Sequence, residues 1–314
     1  MEVDAVTGPS NLTEALLGPL GPAVAATGLH RIERATIVPG QPIELVLRGE
    51  QPLQLDAPAA EQVLAHLLDR PRTDSAVIEG NPHRLAFLPG PGGQVAGAVI
   101  RFTRPASGVA EPLRTLLEAG KHLLVLGAAG PAKTDLVRDA ARILAEDAAR
   151  AVAVVDLFGE LGGAALTPLP ALGRALRLYA RSHGEQARLL LRLNAELEPD
   201  AVVVARIGGA REAEALRQLA MEGVQVVAAL PCQRIAQCGG WPACYPLLGL
   251  QAGPRAGMTV RVGAPVVEAI VELQPHGALA VHEDAAAAVD QALGGQPSGA
   301  QPRELLATPR RETG

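Results

Sequence analysis

Apolar positions in the first hundred residues alternate or recur in short runs. Ile43, Leu45 and Leu47 alternate with polar neighbours, which predicts a strand over Pro42–Leu47, with Pro52–Leu55 as a candidate partner. Val63, Leu64, Leu67 and Leu68 recur at helical spacing and predict an amphipathic helix over Pro58–Leu68. Its proline is tolerated in the first turn, where the missing N–H has no helical partner. Leu12–Leu20 and Ala23–Arg34 also read as helices. Arg84–Leu88 and Val95–Phe102 read as a hairpin across Pro89-Gly90-Pro91-Gly92-Gly93, a composition that demands a turn. No grouping here carries chemistry, and His66 and His83 read as surface or cap residues.

From about residue 106 the period changes. Ala110–Ala119 reads as a helix, Lys121–Leu126 as a buried strand and Thr134–Ala149 as a helix. That last helix has Leu136, Ala140, Ile143 and Leu144 as its apolar stripe; Arg138, Asp139, Arg142 and Glu146 are expected to face out. Ala151–Val155 is a strand closing on Asp156, and Ala187–Leu197 a helix. Ala201–Ala205 is a strand, Ala210–Glu222 a helix and Val224–Ala229 a further strand. Short aliphatic runs alternating with helical patterns predict an α/β fold: a mostly parallel sheet with helices on both faces. Val266–Leu273 and Ala278–Val281 form a closing hairpin, and Asp284–Leu293 a final helix. The expected organisation is therefore a small mixed α+β domain over 1–105, an α/β domain over 106–293 and a disordered tail over 294–314.

Composition narrows the picture. The 314 residues are 48% hydrophobic, which suffices for a sizeable core, but only 2% aromatic, so small aliphatics must fill it. A formal net charge of -5 argues against nucleic acid or an anionic membrane surface as a partner. No apolar run approaches the ~20 residues that span a bilayer. The acidic start Met1-Glu2-Val3-Asp4 does not read as a signal peptide, so a cytoplasmic location is expected. Cys232, Cys238 and Cys244 lack a histidine at metal-ligand spacing and read as reduced thiols.

The candidate chemistry lies where the strand Lys121–Leu126 ends. Gly127-Ala128-Ala129-Gly130-Pro131-Ala132-Lys133-Thr134 is a Gly-rich turn opening a helix. In such a turn backbone N–H groups and a helix N-terminus cradle phosphate, a lysine meets its charge and a hydroxyl reaches magnesium. The pattern G-x-x-x-x-G-K-[ST] is missed once, at Ala132. Ligands of such sheets sit beyond the carboxyl ends of the strands, where Gly127, Asp156 and Arg206 all fall.

With this loop come Val154-Val155-Asp156-Leu157-Phe158-Gly159-Glu160-Leu161-Gly162-Gly163, Pro168 to Arg177, Pro199 to Gly208, Glu212 to Leu216, Gly223 to Val227 and Val281 to Asp284. In this order and at these gaps, residues 80–293 resemble the stage III sporulation protein AA family and its cyanobacterial and plastid relatives, single-ring P-loop ATPases akin to secretion ATPases. The resemblance implies a RecA-like core, ATP and Mg2+, and assembly into a ring, a hexamer. It implies ATP contacts from Gly127 to Thr134, with Asp135 and Asp156 beside them, and magnesium on Thr134. It assigns catalytic roles to Glu160, which would activate water, and Arg174, which would reach a neighbouring subunit's phosphates. Some relatives carry a C-terminal nucleic-acid module, which is not expected here.

Four departures fall on that chemistry. Ala132 replaces a glycine, where a left-handed backbone would cost an alanine on the order of 1 kcal/mol. Asp135 places a carboxylate where triphosphate is to bind, although it suits the helix dipole. Ala205-Arg206 stands where the family has Asp-Glu, so a metal-side carboxylate is a methyl and its neighbour has changed sign. Arg206 could touch phosphate in place of the cation or pair with Asp156 or Glu160. Finally, Pro231 stands at a histidine position that would sense the γ-phosphate. The expected protein is a degenerate member: it binds ATP weakly, hydrolyses it poorly or not at all, and acts in a homo-oligomeric ring or one mixed with active homologues. A working ATPase using Glu160, or a scaffold that ignores nucleotide, are the alternatives. A basic cluster from Arg174 to Arg192, read as a solvated helix face, has only Tyr179 to stack a base.

Overall fold

A computed structural model describes residues 18–28, 31–47, 50–55, 58–69, 84–102, 106–128, 130–163, 168–255, 257–274, 278–295 and 299–304. The described residues fall into two compact units, one within Met1–Arg104 and Gly163–Pro168, the other within Pro105–Gly162 and Leu169–Gly314.

The first unit is an antiparallel sheet of β1 (Ile32–Ile37), β2 (Ile43–Leu47), β3 (Leu53–Leu55), β4 (Arg84–Pro89) and β5 (Val95–Arg101), in the order β3-β2-β1-β5-β4. Helices α1 (Gly21–Thr27) and α2 (Pro58–Leu68) supply the rest of its core: Val24, Val63 and Leu67 pack with Ile37, Ile43, Leu45 and Ile100. The helix expected over Ala23–Arg34 stops at Thr27. Gly28 takes φ 82, which ends the helix, and Ile32 opens a strand instead. Of the helix expected over Leu12–Leu20, only Gly18–Leu20 is described, as a 3-10 turn, and His83 lies outside the described residues.

The second unit contains α3 (Arg114–Glu118), β6 (Leu123–Leu126), α4 (Pro131–Arg142), β7 (Val152–Leu157), β8 (Leu176–Ala180), α5 (His183–Leu197), β9 (Ala201–Val204), α6 (Ala210–Met221) and β10 (Gln225–Leu230). It continues through α7 (Tyr245–Leu248), β11 (Leu250–Ala252), β12 (Thr259–Arg261), β13 (Ala269–Leu273), β14 (Ala278–His282), α8 (Ala285–Leu293) and β15 (Gln301–Glu304). Among the described residues its main sheet has eight strands, β15-β14-β13-β6-β10-β9-β7-β8. From β13 to β8 every pairing is parallel; β14 and β15 add antiparallel strands.

The central strands are apolar throughout because both faces are covered. Leu124, Leu126, Val202 and Val204 pack with Leu190 and Leu193 of α5 and Leu216 and Leu219 of α6. Leu123, Val125, Val154 and Val203 pack on the other face with Leu136, Val137, Ala140 and Leu144. β6 lies between β13 and β10, with the intervening strands β9, β7 and β8 beyond β10. This is the RecA-like order, with the loop-bearing strand near the middle of the sheet.

Three readings change here. β8 was not expected: Arg177 and Tyr179 lie on an edge strand, and Arg174 precedes it, so the basic cluster is not one helix face. α5 begins at His183, four residues before Ala187, because Ser182 caps it by accepting a hydrogen bond from the Glu185 N–H. Within 294–314, Gln301–Glu304 pairs with β14 and extends the sheet, because β14 offers an open edge.

Leu216 of α6 is wholly buried between helix and sheet. Leu216→Ala is expected to destabilise the larger unit by about 2–5 kcal/mol, read as a lower urea midpoint at unchanged slope.

Candidate functional site

The site is built where β6 hands over to α4. The Gly127 N–H donates to the Cys232 carbonyl at 2.6 Å, which ties the first loop residue to the segment after β10. α4 starts at Pro131 with Gly130 before it, and no side chain caps its N-terminus, so its first-turn N–H groups have no side-chain acceptor. Ala128, Gly130 and Ala132 are exposed, and Ala129 lies outside the described residues. Ala132 belongs to the first turn of α4 and is not among the residues of positive φ. The left-handed strain expected there does not arise, because helical backbone suits alanine.

Lys133 is 6% exposed, and among the described residues its ammonium has no hydrogen-bond or ion-pair partner. Its stem folds back over the loop: a Cβ on Gly127 would lie 3.6 Å from its Cδ. Burial, then the charge of Arg206, push its pKa below the ordinary lysine value, while Glu160 pulls the other way. Thr134 is half-buried on the same turn.

Asp135 does not face the ligand region as a free carboxylate. It is buried and ion-paired with Arg138 one turn along α4. Arg138 is 1% exposed and also donates to the carbonyls of Leu161 at 2.6 Å and Glu160 at 2.8 Å. Arg138 and Asp139 were expected to face solvent. Both are buried, since Asp139 accepts the Ala110 N–H at 2.8 Å and Arg142 at 2.9 Å. Charged groups on this face are covered by other segments and survive by pairing.

The second carboxylate group lies at the C-terminal end of β7 and in the turn that follows. Asp156 is fully buried, and its two oxygens accept the N–H groups of Leu161 and Gly162, both at 2.8 Å. Burial pushes its carboxyl up, against those two bonds and the guanidinium of Arg177 4.0 Å away. The turn it closes passes through left-handed Phe158 (φ 58) and Gly159 (φ 67), an uncommon conformation for phenylalanine. Glu160 emerges from this turn and meets Arg206 at 2.8 Å, with Arg206 43% exposed. Of the two acids open to Arg206, Glu160 is the one it takes.

The backbone around Arg206 is itself held by residues to which the sequence assigned no role. Glu212 is buried and accepts the N–H groups of Gly208 and Gly209, Nε2 of Gln186 at 2.8 Å and Nδ1 of His183 at 2.7 Å. Gln186 also donates to the Arg206 carbonyl at 2.7 Å. His183 lies so close that a Cβ on Gly208 would fall 2.1 Å from its ring. A legible signal existed in Gly209-x-x-Glu212, the spacing with which a glutamate covers the backbone at a helix start. Arg174 donates to the Ala145 carbonyl at 2.8 Å, in the middle of the π-helical turn Ile143–Asp147 that continues α4. Arg177 binds the Gly162 carbonyl at 3.0 Å and lies over the Tyr179 ring at 5.8 Å.

Phosphate and magnesium fare differently against these groups. An uncapped helix start and an acceptor-less buried cation fit a polyphosphate anion. For magnesium, Thr134 offers a hydroxyl, but Ala205 offers no side-chain oxygen. Both Asp156 oxygens serve backbone amides, and Glu160 faces a guanidinium. Among the described residues no group of three or more His, Cys, Asp or Glu is placed to hold a metal ion. Cys232 and Cys238 stand 3.7 Å apart, and the hydrogen bond between them pulls the Cys232 thiol down and pushes Cys238 up. Cys244 bonds instead to the Trp241 carbonyl at 3.0 Å.

Two outcomes follow from this charge arrangement. Lys133→Met removes a desolvated cation that has no acceptor, so the ligand-free protein should melt at a higher temperature while its response to phosphate ligands disappears. Arg138→Leu leaves Asp135 buried without its counter-ion and should cost about 3–5 kcal/mol in chemical denaturation.

No protein-family model matches the chain. It is similar to the uncharacterized protein ycf45 of Porphyra purpurea, at 28% identity over 242 residues, covering 73% of this chain and 43% of that protein. It is also similar to Protein SEEDLING PLASTID DEVELOPMENT 1 of Arabidopsis thaliana, at 34% identity over 151 residues, covering 48% of this chain and 22% of that one. The chain thus spans less than half the length of these two curated relatives. Of solved structures, it is similar to the Legionella pneumophila ATPase DotB, with a TM-score of 0.48 and 15% identity over 76% of this chain and 70% of that one. It is similar too to the VirB11 ATPase of the Brucella suis type IV secretion system in complex with sulphate, with a TM-score of 0.36 and 15% identity over 87% and 94%.

Proposed function

We propose that the 106–293 segment binds a nucleoside triphosphate, ATP by its sequence resemblance to the sporulation protein AA family, and hydrolyses it poorly or not at all. The observation that carries this reading is Lys133. Its side chain is largely buried beside an uncapped helix start, and among the described residues its ammonium has no acceptor, so an incoming anion would meet a partly desolvated cation that nothing else pairs.

Slow hydrolysis is supported by what surrounds that cation. Glu160, the acid that would activate water, is tied to Arg206. Ala205 and Pro231 present no polar side chain, and Arg174 is engaged by a carbonyl of its own chain. Losing one general base alone costs a rate factor of about 10²–10⁴. The protein would then act as a structural or regulatory subunit of a ring, homo-oligomeric or mixed with active homologues and hexameric by the same resemblance. No described helix is long and apolar enough to cross a membrane. A cytoplasmic setting is part of the reading, supported by the three buried free thiols.

ATP should raise the melting temperature of the wild type, as any ligand selective for the folded state must, with no shift for Lys133→Ala. Phosphate release should stay at background. Turnover that Lys133→Ala abolishes and Glu160→Gln also removes would instead establish a working ATPase. No shift under any condition would leave a scaffold without nucleotide. Native mass spectrometry with and without ATP reads the ring.

A further inference from the structure

We infer that the phosphate loop takes its polyphosphate without a metal ion, with Arg206 supplying the positive charge and Glu160 acting as an internal anion that the ligand displaces. This inference rests on the proposed nucleotide reading and names the ionic form of the ligand.

The first support is the donor set. A magnesium ion bridging phosphates needs a hydroxyl and carboxylates, directly or through water. Beyond Thr134, the oxygens around this loop are committed. Asp156 is fully buried and each of its oxygens already accepts a backbone N–H at 2.8 Å, and Ala205, just after β9, offers only a methyl side chain. Its neighbour Arg206 carries a cation, so a divalent ion entering here meets like charge.

The second support is how the cation is mounted. The backbone around Arg206 is pinned from both sides: Gln186 binds its carbonyl at 2.7 Å, and Glu212 gathers the next two glycine amides. Its side chain is 43% exposed and its guanidinium is bound to Glu160 at 2.8 Å, so an anion arriving from solvent can compete for it. Glu160 is also fixed in its backbone, whose carbonyl accepts Arg138 at 2.8 Å. Only its side chain has to move. Lys133 senses both partners, since Arg206 disfavours its charge and Glu160 favours it, so all three charges share one electrostatic neighbourhood. A guanidinium forms paired N–H···O bonds to phosphate oxygens, which lets it replace a metal in binding. It cannot replace the metal in activating water, which agrees with slow hydrolysis.

The test is isothermal titration of the full chain with ATP, and in a second arm with inorganic tripolyphosphate, in excess EDTA and in saturating magnesium. The expected result is binding in EDTA at least as tight as in magnesium. The tripolyphosphate arm tells a nucleotide site from a general polyphosphate site, and metal-free binding in either arm supports the inference. Arg206→Ala should weaken metal-free binding about 10- to 100-fold, the weight of a charge-assisted hydrogen bond. Arg206→Lys should recover part of that loss. Glu160→Gln, which is isosteric, should tighten metal-free binding by removing the competing anion. Binding that appears only with magnesium, or an Arg206→Ala variant as tight as the wild type in EDTA, overturns the inference and leaves the nucleotide reading standing. No binding in either buffer overturns both.

Discussion

The structure turns on one uncompensated charge. The stem of Lys133 is buried at the start of α4, and no described acceptor meets its ammonium. Partial desolvation disfavours an ammonium, so the surrounding architecture must hold it there against its own solvation. It does so with the strongest scaffold available, a parallel sheet covered on both faces. β6 lies inside that sheet, and Gly127 is tied to the strand-end of β10 through the Cys232 carbonyl. The helix dipole at the uncapped start of α4 adds to the positive potential rather than relieving it.

Around this cation the remaining charges are arranged as closed pairs. Two buried carboxylates perform the same task on opposite sides. Asp156 gathers the amides of Leu161 and Gly162, and Glu212 gathers those of Gly208 and Gly209. Neither carboxylate is left over for chemistry. Each instead shapes the turn that presents one partner of the Glu160–Arg206 pair. Arg138 completes the arrangement by neutralising Asp135 and holding the backbone of Glu160. The acidic and basic residues crowded into this region therefore serve mainly to position backbone, and the Arg206–Glu160 pair is where they leave a solvent-accessible contact.

Much of the fold was legible in the sequence, and the reasons are local. Continuous aliphatic runs such as Ala201–Val204 and Gln225–Leu230 admit little but buried strands when helical patterns separate them. The helix Pro58–Leu68 announced itself by its apolar spacing. What escaped was set by partners distant in sequence. β8 has a partly polar, partly exposed pattern, and becomes a strand because β7 offers it an edge. Gln301–Glu304 becomes one because β14 does. β8 does alternate Leu176, Leu178 and Ala180 with Arg177 and Tyr179, but Gln301–Glu304 carries no apolar periodicity.

The same division runs through the site. By itself the sequence determined the glycine-containing loop after β6 and the helix that follows, because glycine, proline and aliphatic runs act through local backbone and burial preferences. Only the tertiary structure decided which charge meets which. It turned Asp135 away onto Arg138, gave Arg206 to Glu160 rather than Asp156, and buried Arg138 and Asp139, which an isolated helix would expose. Ion pairing depends on distances of a few ångströms between segments far apart in the chain. Folding sets those distances; the order of residues along one helix does not.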